Sequence, residues 1–169
     1  MCDESAERLV FLSSQPHTGM FNGLEGADEF CKGLASSAGL EGEFMAWLST
    51  AELGPAARMN HFPGPYRLID GALVANGWAD LTDGTLAHPI DLNEEGLPIA
   101  AVFVCEGNEV WTNTKPDGTP RSNTDCDGWQ QVTGISTTGR HSAVDQAWTQ
   151  SGCIQVDCGS PLPIYCVQQ

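Results

Sequence analysis

Positive charge is what this sequence has least of. Seven Lys and Arg residues face 22 Asp and Glu, for a formal net charge of −15. Phosphate backbones and sulfated polysaccharides are gripped by basic surfaces, so nucleic acid and heparin-like polyanions are disfavoured as partners. Also missing is any apolar run of 18 or more residues, the length a spanning helix requires. No C-x-x-C occurs, and no Cys/His set has zinc-finger spacing. There is no P-loop, no G-x-G-x-x-G opening a helix and no G-x-S-x-G nucleophile elbow, so no catalytic signature points to an enzyme. N-x-[ST] is absent, and neither a Pro/Ser-rich linker nor an internal repeat divides the chain.

What is present is cysteine, seven residues in a chain of 169. With metal and redox motifs absent, a disulfide framework is the better explanation, and it places the protein outside the cytosol, secreted or on the cell surface. The count is odd, so at least one thiol is unpaired, modified or linked to another chain. Met1-Cys2 reads as the junction left after a leader is removed, which makes Cys2 a candidate lipid anchor and the one expected route to a membrane. A third disulfide or an intermolecular thiol are the other readings of Cys2. Residues 1–7 are expected to form an N-terminal arm and 8–169 a single domain, in keeping with the chain length.

Nineteen Gly and ten Pro point to short strands and long loops. Arg8–Ser13 reads as a first strand, Phe44–Ser49 as a second and Ile164–Val167 as a last one. From Gly26 to Ala38, the residues Ala27, Phe30, Cys31, Leu34, Ala35 and Ala38 recur at helical spacing. Asp28 and Glu29 would then occupy the first turn and Gly39 the C-terminal cap. Tyr66–Ile69 and Ala72–Ala75 flank Asp70-Gly71, the usual occupant of a two-residue type I′ hairpin turn. A second hairpin is expected between Ala100–Val104 and Glu109–Thr114. The Gly/Ser/Thr-rich stretch Thr133–Ser142 reads as an exposed loop. The class is α+β.

Several short motifs then stand in a telling order. Leu9-Val10-Phe11-Leu12 precedes Gly19-Met20, Gly26-Ala27-Asp28 with Cys31, Gly39-Leu40 and Phe44-x-Ala46-Trp47-Leu48-Ser49. Val110-Trp111, Asp117-Gly118, Cys126 with Trp129, and Cys158 with Tyr165-Cys166 follow. In order and spacing the chain resembles the endostatin family, and most of all its bacterial endostatin-like domains. The resemblance implies a C-type-lectin-like fold, with short twisted antiparallel strands, one or two helices and nested disulfides. It also implies that Cys31 pairs with Cys166 and Cys126 with Cys158. The first pair would close a loop that spans most of the chain, worth about 5 kcal/mol as an upper estimate in the chain-entropy model. Cys105 and Cys153 match no family position; they are expected to pair with each other, the rival being Cys2 with Cys105. The family's arginine-based heparin binding does not carry over, because only Arg8, Arg58, Arg67, Arg121 and Arg140 exist, scattered among acids. Its N-terminal zinc site does not carry over either, since Met1-Cys2-Asp3-Glu4 has no histidine. The E-P-N or Q-P-D loop of calcium-dependent sugar-binding lectins is absent.

Asp91, Asn93 and Glu95 in D-x-N-x-E-G place oxygen donors at alternate positions before a turn glycine, as a calcium loop begins. Position twelve is Val102, which excludes an EF-hand; a loop site would be completed by Asp80 or Asp83. A solvated acidic turn is the other reading of these residues, and no cofactor is required. Trp78 follows Asn76-Gly77 on an expected loop, where an exposed indole could stack on a sugar or anchor a protein, partial burial under a long loop being the other reading. Trp47 and Trp111 are expected in the core. His17, His61, His88 and His141 show no metal-ligand spacing and are expected in surface or loop positions. The expected function is an extracellular, non-catalytic binding or adhesion module that presents its loops to a protein or a glycan. The alternatives are a self-assembling subunit of a surface layer or filament, and an enzyme with an unrecognised site.

Overall fold

The computed structural model describes residues 6–169 as a mixed α+β structure of short strands, few helices and three disulfides. The central sheet has five strands in the order β2-β9-β1-β3-β4. These are β1 (Arg8–Leu12), β2 (Phe44–Ala46), β3 (Tyr66–Arg67), β4 (Leu73–Ala75) and β9 (Tyr165–Gln168). β9 runs antiparallel to both β1 and β2, whereas β1 and β3 are parallel. Two further pairs are antiparallel: β5 (Glu109–Trp111) with β7 (Thr138–Arg140), and β6 (Ile135–Ser136) with β8 (Val156–Asp157).

Alternation along β1 and β9 divides the core in two, because successive side chains of a strand face opposite ways. Phe11 and Cys166 join a cluster with α1 (Gly23–Ser37), Trp111 and Trp129. Val10, Leu12, Tyr165 and Val167 join the other, with Trp47, Tyr66, Val74, Trp78 and Trp148. The expected helix is therefore present and buries Ala27, Cys31, Leu34 and Ala35, but it starts three residues early. That moves Asp28 and Glu29 out of the first turn. Asp28 instead accepts a hydrogen bond from Ala46 N at 2.9 Å and pairs with Arg58 of α2 (Pro55–Arg58), fastening the helix to β2. Gly39, at φ +76°, follows the helix as a left-handed terminator.

Four expectations change. The β3–β4 hairpin has a three-residue loop, Ile69-Asp70-Gly71, rather than a two-residue turn. Gly71 N donates to Leu68 O and Leu68 N to Ala72 O, and only Gly71 takes positive φ. The strand expected over Phe44–Ser49 stops at Ala46, after which Ser49 N donates to Thr112 O. Ala100–Val104 does not pair with Glu109–Trp111. The Glu109 carboxylate accepts the N–H groups of Val104, Cys105, Glu106 and Gly107, which rolls this segment into a loop, and β5 pairs with β7 instead. Thr133–Ser142 is not an exposed loop but holds β6 and β7, with Ser136, Thr137 and Thr138 buried. Their hydroxyls find internal partners: Ser136 Oγ donates to Thr124 O and Thr137 Oγ1 to Asn113 Oδ1.

The bridges are Cys31–Cys166, Cys126–Cys158 and Cys105–Cys153, with sequence separations of 135, 32 and 48. The first joins α1 to β9. Cys126 opens an unusual element, because Cys126, Asp127, Gly128 and Trp129 all have φ between 54° and 68°, a single left-handed turn. Side chains other than glycine rarely adopt this conformation. Here Asp125 Oδ1 accepts Gly128 N at 3.0 Å, the disulfide holds one end and the buried Trp129, donating Nε1–H to Ser49 O at 2.8 Å, holds the other. Glu7, expected in the arm, is tied to β3 through Arg67 at 2.7 Å. Cys2 lies outside the described residues. Among those residues no helix is long and apolar enough to cross a membrane.

Candidate ligand-binding cavity

Five rings run from the core to the surface: Tyr165, Trp148, Trp47, Trp78 and His61. Consecutive centroids lie 5.5, 4.9, 5.9 and 4.3 Å apart. The last pair is stacked nearly parallel, 4° between planes, and His61 is exposed. Trp78 opens the short helix α3 (Trp78–Leu81), and its N–H donates to Phe62 O at 2.8 Å. Gly77 fits against this segment only as glycine, since a Cβ there would stand 2.7 Å from Pro63 O.

His61, Pro63, Asn76, Gly77, Trp78, Ala79 and Asp80 line an open cavity of about 390 Å³. Of the two readings of Trp78, burial holds: it is only 9% exposed, with Trp47 behind it and His61 in front. Both rings line the cavity, and of the stacked pair His61 is the exposed one. The His61 Nε2 lies 2.8 Å from Ala56 O, and a carbonyl can only accept, so Nε2 carries the proton and Nδ1 keeps a lone pair. Asp80 Oδ2 accepts Asn76 N at 2.8 Å and the Asn76 side-chain Nδ2 at 3.5 Å, which leaves Asp80 Oδ1 and Asn76 Oδ1 as polar groups beside an apolar floor. A second open cavity of about 530 Å³ is more polar, lined by Asp83, Lys115, Asp117, Gln146 and Gln150 among others. There the Thr119 side-chain hydroxyl, with the Thr119 N–H, holds the Asp117 carboxyl below its ordinary range against the opposing effect of burial.

Among the described residues no three of the candidate calcium carboxylates, Asp80, Asp83, Asp91 and Glu95, bring ligating oxygens within 4.8 Å of one another. Asn93 is buried and spends Oδ1 on Glu95 N (2.9 Å) and Leu97 N (3.1 Å), closing its own turn. Asp83 Oδ1 caps Thr85, and Asp80 caps Asn76. Among the described residues the one group of three Cys, His or acidic side chains with ligating atoms within 4.8 Å of one another is Cys105, Glu109 and Cys153, two of which form a disulfide. Asp91 instead faces histidine: its Oδ1 lies 3.9 Å from His88 Nδ1.

Three residues that matter here left no mark in the sequence. Glu109 is fully buried; burial alone would raise its pKa, but the N–H groups of Gly107, Val104, Cys105 and Glu109 itself outweigh it and hold the carboxyl below its ordinary value. His141, expected in a surface or loop position, lies on a turn but is only 7% exposed, and burial pushes its pKa down against the pull of Asp91 and Glu109. His61 was one loop histidine among four, and only the fold sets it on Trp78. No family model matches the chain, and no curated protein matches it.

Proposed function

We propose that this chain is an extracellular binding module of the endostatin-like, C-type-lectin-like type, and that it takes a neutral glycan at the His61–Trp78 cavity. The observation that carries the ligand assignment is the outward ring of His61, stacked on a supported indole, with Asn76 and Asp80 beside it. An aromatic face takes the apolar C–H face of a pyranose, while an amide and a carboxylate take its hydroxyls. A net charge of −15 favours neutral over sulfated sugars. Three disulfides support an oxidising compartment. The endostatin-like assignment is supported by the two implied bridges, one enclosed by the other in sequence and the outer one joining an early helix to the last strand. A glycan array probed with the folded chain tests the ligand class. Retention of hexose-containing neutral glycans, reduced at least tenfold by His61→Ala, is the expected result; silence across the array overturns it.

A further inference from the structure

Ten consecutive residues, Gly96 to Cys105, carry no charge in a chain whose net charge is −15. Leu97, Phe103 and Val104 are 54%, 78% and 42% exposed, and Phe103 is the most exposed large apolar side chain among the described residues. The segment lies in no strand, yet it is held firmly. Cys105 is bridged to Cys153, the Glu109 carboxylate accepts the N–H groups of residues 104 to 107, and Asn108 N donates to Val102 O at 2.8 Å. Apolar side chains fixed at the surface in this way mark an interaction site rather than a slack loop. Beside them, Ser13, Pro16, Ile99, Ala100, Val102 and Pro163 help line a cavity of about 130 Å³. An apolar cavity of about 150 Å³ is enough to take a benzene-sized group. Both serines of the lining have engaged their hydroxyl protons: Ser13 Oγ donates to Gln15 O at 3.0 Å, and Ser14 Oγ donates to Glu94. The wall therefore offers an occupant apolar surface and no free hydroxyl donor, which suits a hydrocarbon side chain and not a sugar. Acid stands at both ends of the segment. Glu95 is exposed beside the buried Glu94, and among the described residues neither is paired with a cation, whereas Glu106 pairs with Arg140 at 3.7 Å.

We propose that segment 97–104 and this cavity form a docking surface for a basic protein segment, one apolar side chain of which enters the cavity while an adjacent Lys or Arg faces Glu95. Charge chooses the partner. An apolar centre with an uncompensated acidic edge is complemented by an apolar anchor with a basic edge. A second copy of the chain would bring the same acids and only seven Lys and Arg, so repulsion opposes that pairing. The surface shares no lining residue with the His61 cavity and does not rest on the glycan reading.

Isothermal titration of the whole chain at low ionic strength with two synthetic peptides tests this, one with Phe between lysines, the other with Ser in place of that Phe. The Phe peptide should bind saturably and the Ser peptide at least tenfold more weakly, since the difference is one buried aromatic side chain. Binding should weaken as salt rises, and Glu95→Gln should flatten that dependence. Ala100→Trp, which fills the cavity from an exposed position, should weaken the Phe peptide at least tenfold. Phe103→Ser should weaken it as well and reports even if the Ala100 variant folds poorly, with near-ultraviolet circular dichroism verifying the fold of each. No binding at millimolar peptide, equal affinity for the two peptides, or parent affinity in both variants would overturn the proposal. So would self-association that strengthens with salt in sedimentation, which would assign the surface to a second copy, or retention on neutral phosphatidylcholine vesicles, which would assign it to lipid.

Discussion

The Glu109 carboxylate is buried against the N–H groups of four consecutive residues, 104 to 107, and Cys153 Sγ lies 4.0 Å from it. Replacing it by Gln exchanges one accepting oxygen for an amide that can only donate toward the same N–H groups. Glu109→Gln should therefore cost about 3 kcal/mol, read from urea unfolding. The direction of its pKa adds a pH dependence. A carboxyl whose folded pKa is depressed adds stability above the unfolded value of about 4.3 and loses it as pH falls through the lower folded value. His141 is also depressed, so its contribution is complete above about pH 6.5 and declines below that. Melting temperature should thus fall in two stages on acidification, and His141→Gln should remove the first; a single transition below pH 4.5 in the parent chain would contradict this. Neither residue was legible. A carboxylate that gathers N–H groups from its own loop leaves no periodic trace, so Glu109 read as an ordinary strand residue and the loop before it as half a hairpin.

Elements whose burial follows a period were legible, and those held by side chains were not. The helix around Cys31 and strands β1 and β9 declare themselves through spacing, because each presents one face to a core. The left-handed turn at 126–129 has no such signal, since its conformation is imposed by the Cys158 bridge, the Asp125 cap and the Trp129 anchor. β7 was hidden for a similar reason. Its Gly139 looked like loop punctuation, yet a Cβ there would lie 2.2 Å from Trp148 O, so glycine lets the backbones touch. The two glycines predict contrasting losses. Gly128→Ala has open space, its nearest contact being 3.7 Å away at Gln130, and should cost only the left-handed penalty of about 1 kcal/mol. Gly139→Ala must displace backbone and should cost about 3 kcal/mol or more. Equal losses in chemical denaturation would refute that distinction.

Over the whole molecule, the bridge from α1 to β9 closes the longest loop, with a separation of 135. Replacing Cys31 and Cys166 together by Ala should lower unfolding free energy by about 3–5 kcal/mol, less any strain relieved. That is a large share of a domain's total stability, so the variant should unfold at much lower urea. Its pairing is implied by the resemblance, while the Cys105–Cys153 bridge is the expected pairing of two cysteines that match no family position. The cavity was only half visible, because its lining comes from separate stretches, 61–63 and 76–80, that only the fold brings together. Trp78 stood out as a tryptophan beside a turn, but nothing in the chain announced that His61 would cover its face. The most direct test of the binding account is nuclear magnetic resonance of ¹⁵N-labelled protein titrated with a neutral glycan from the array. The account predicts saturable shifts at the Trp78 indole and His61 ring, with Trp111 and Trp129, on the opposite side of the sheet, unmoved. Shifts that persist undiminished in His61→Ala, or that appear first at Trp111 and Trp129, would contradict it.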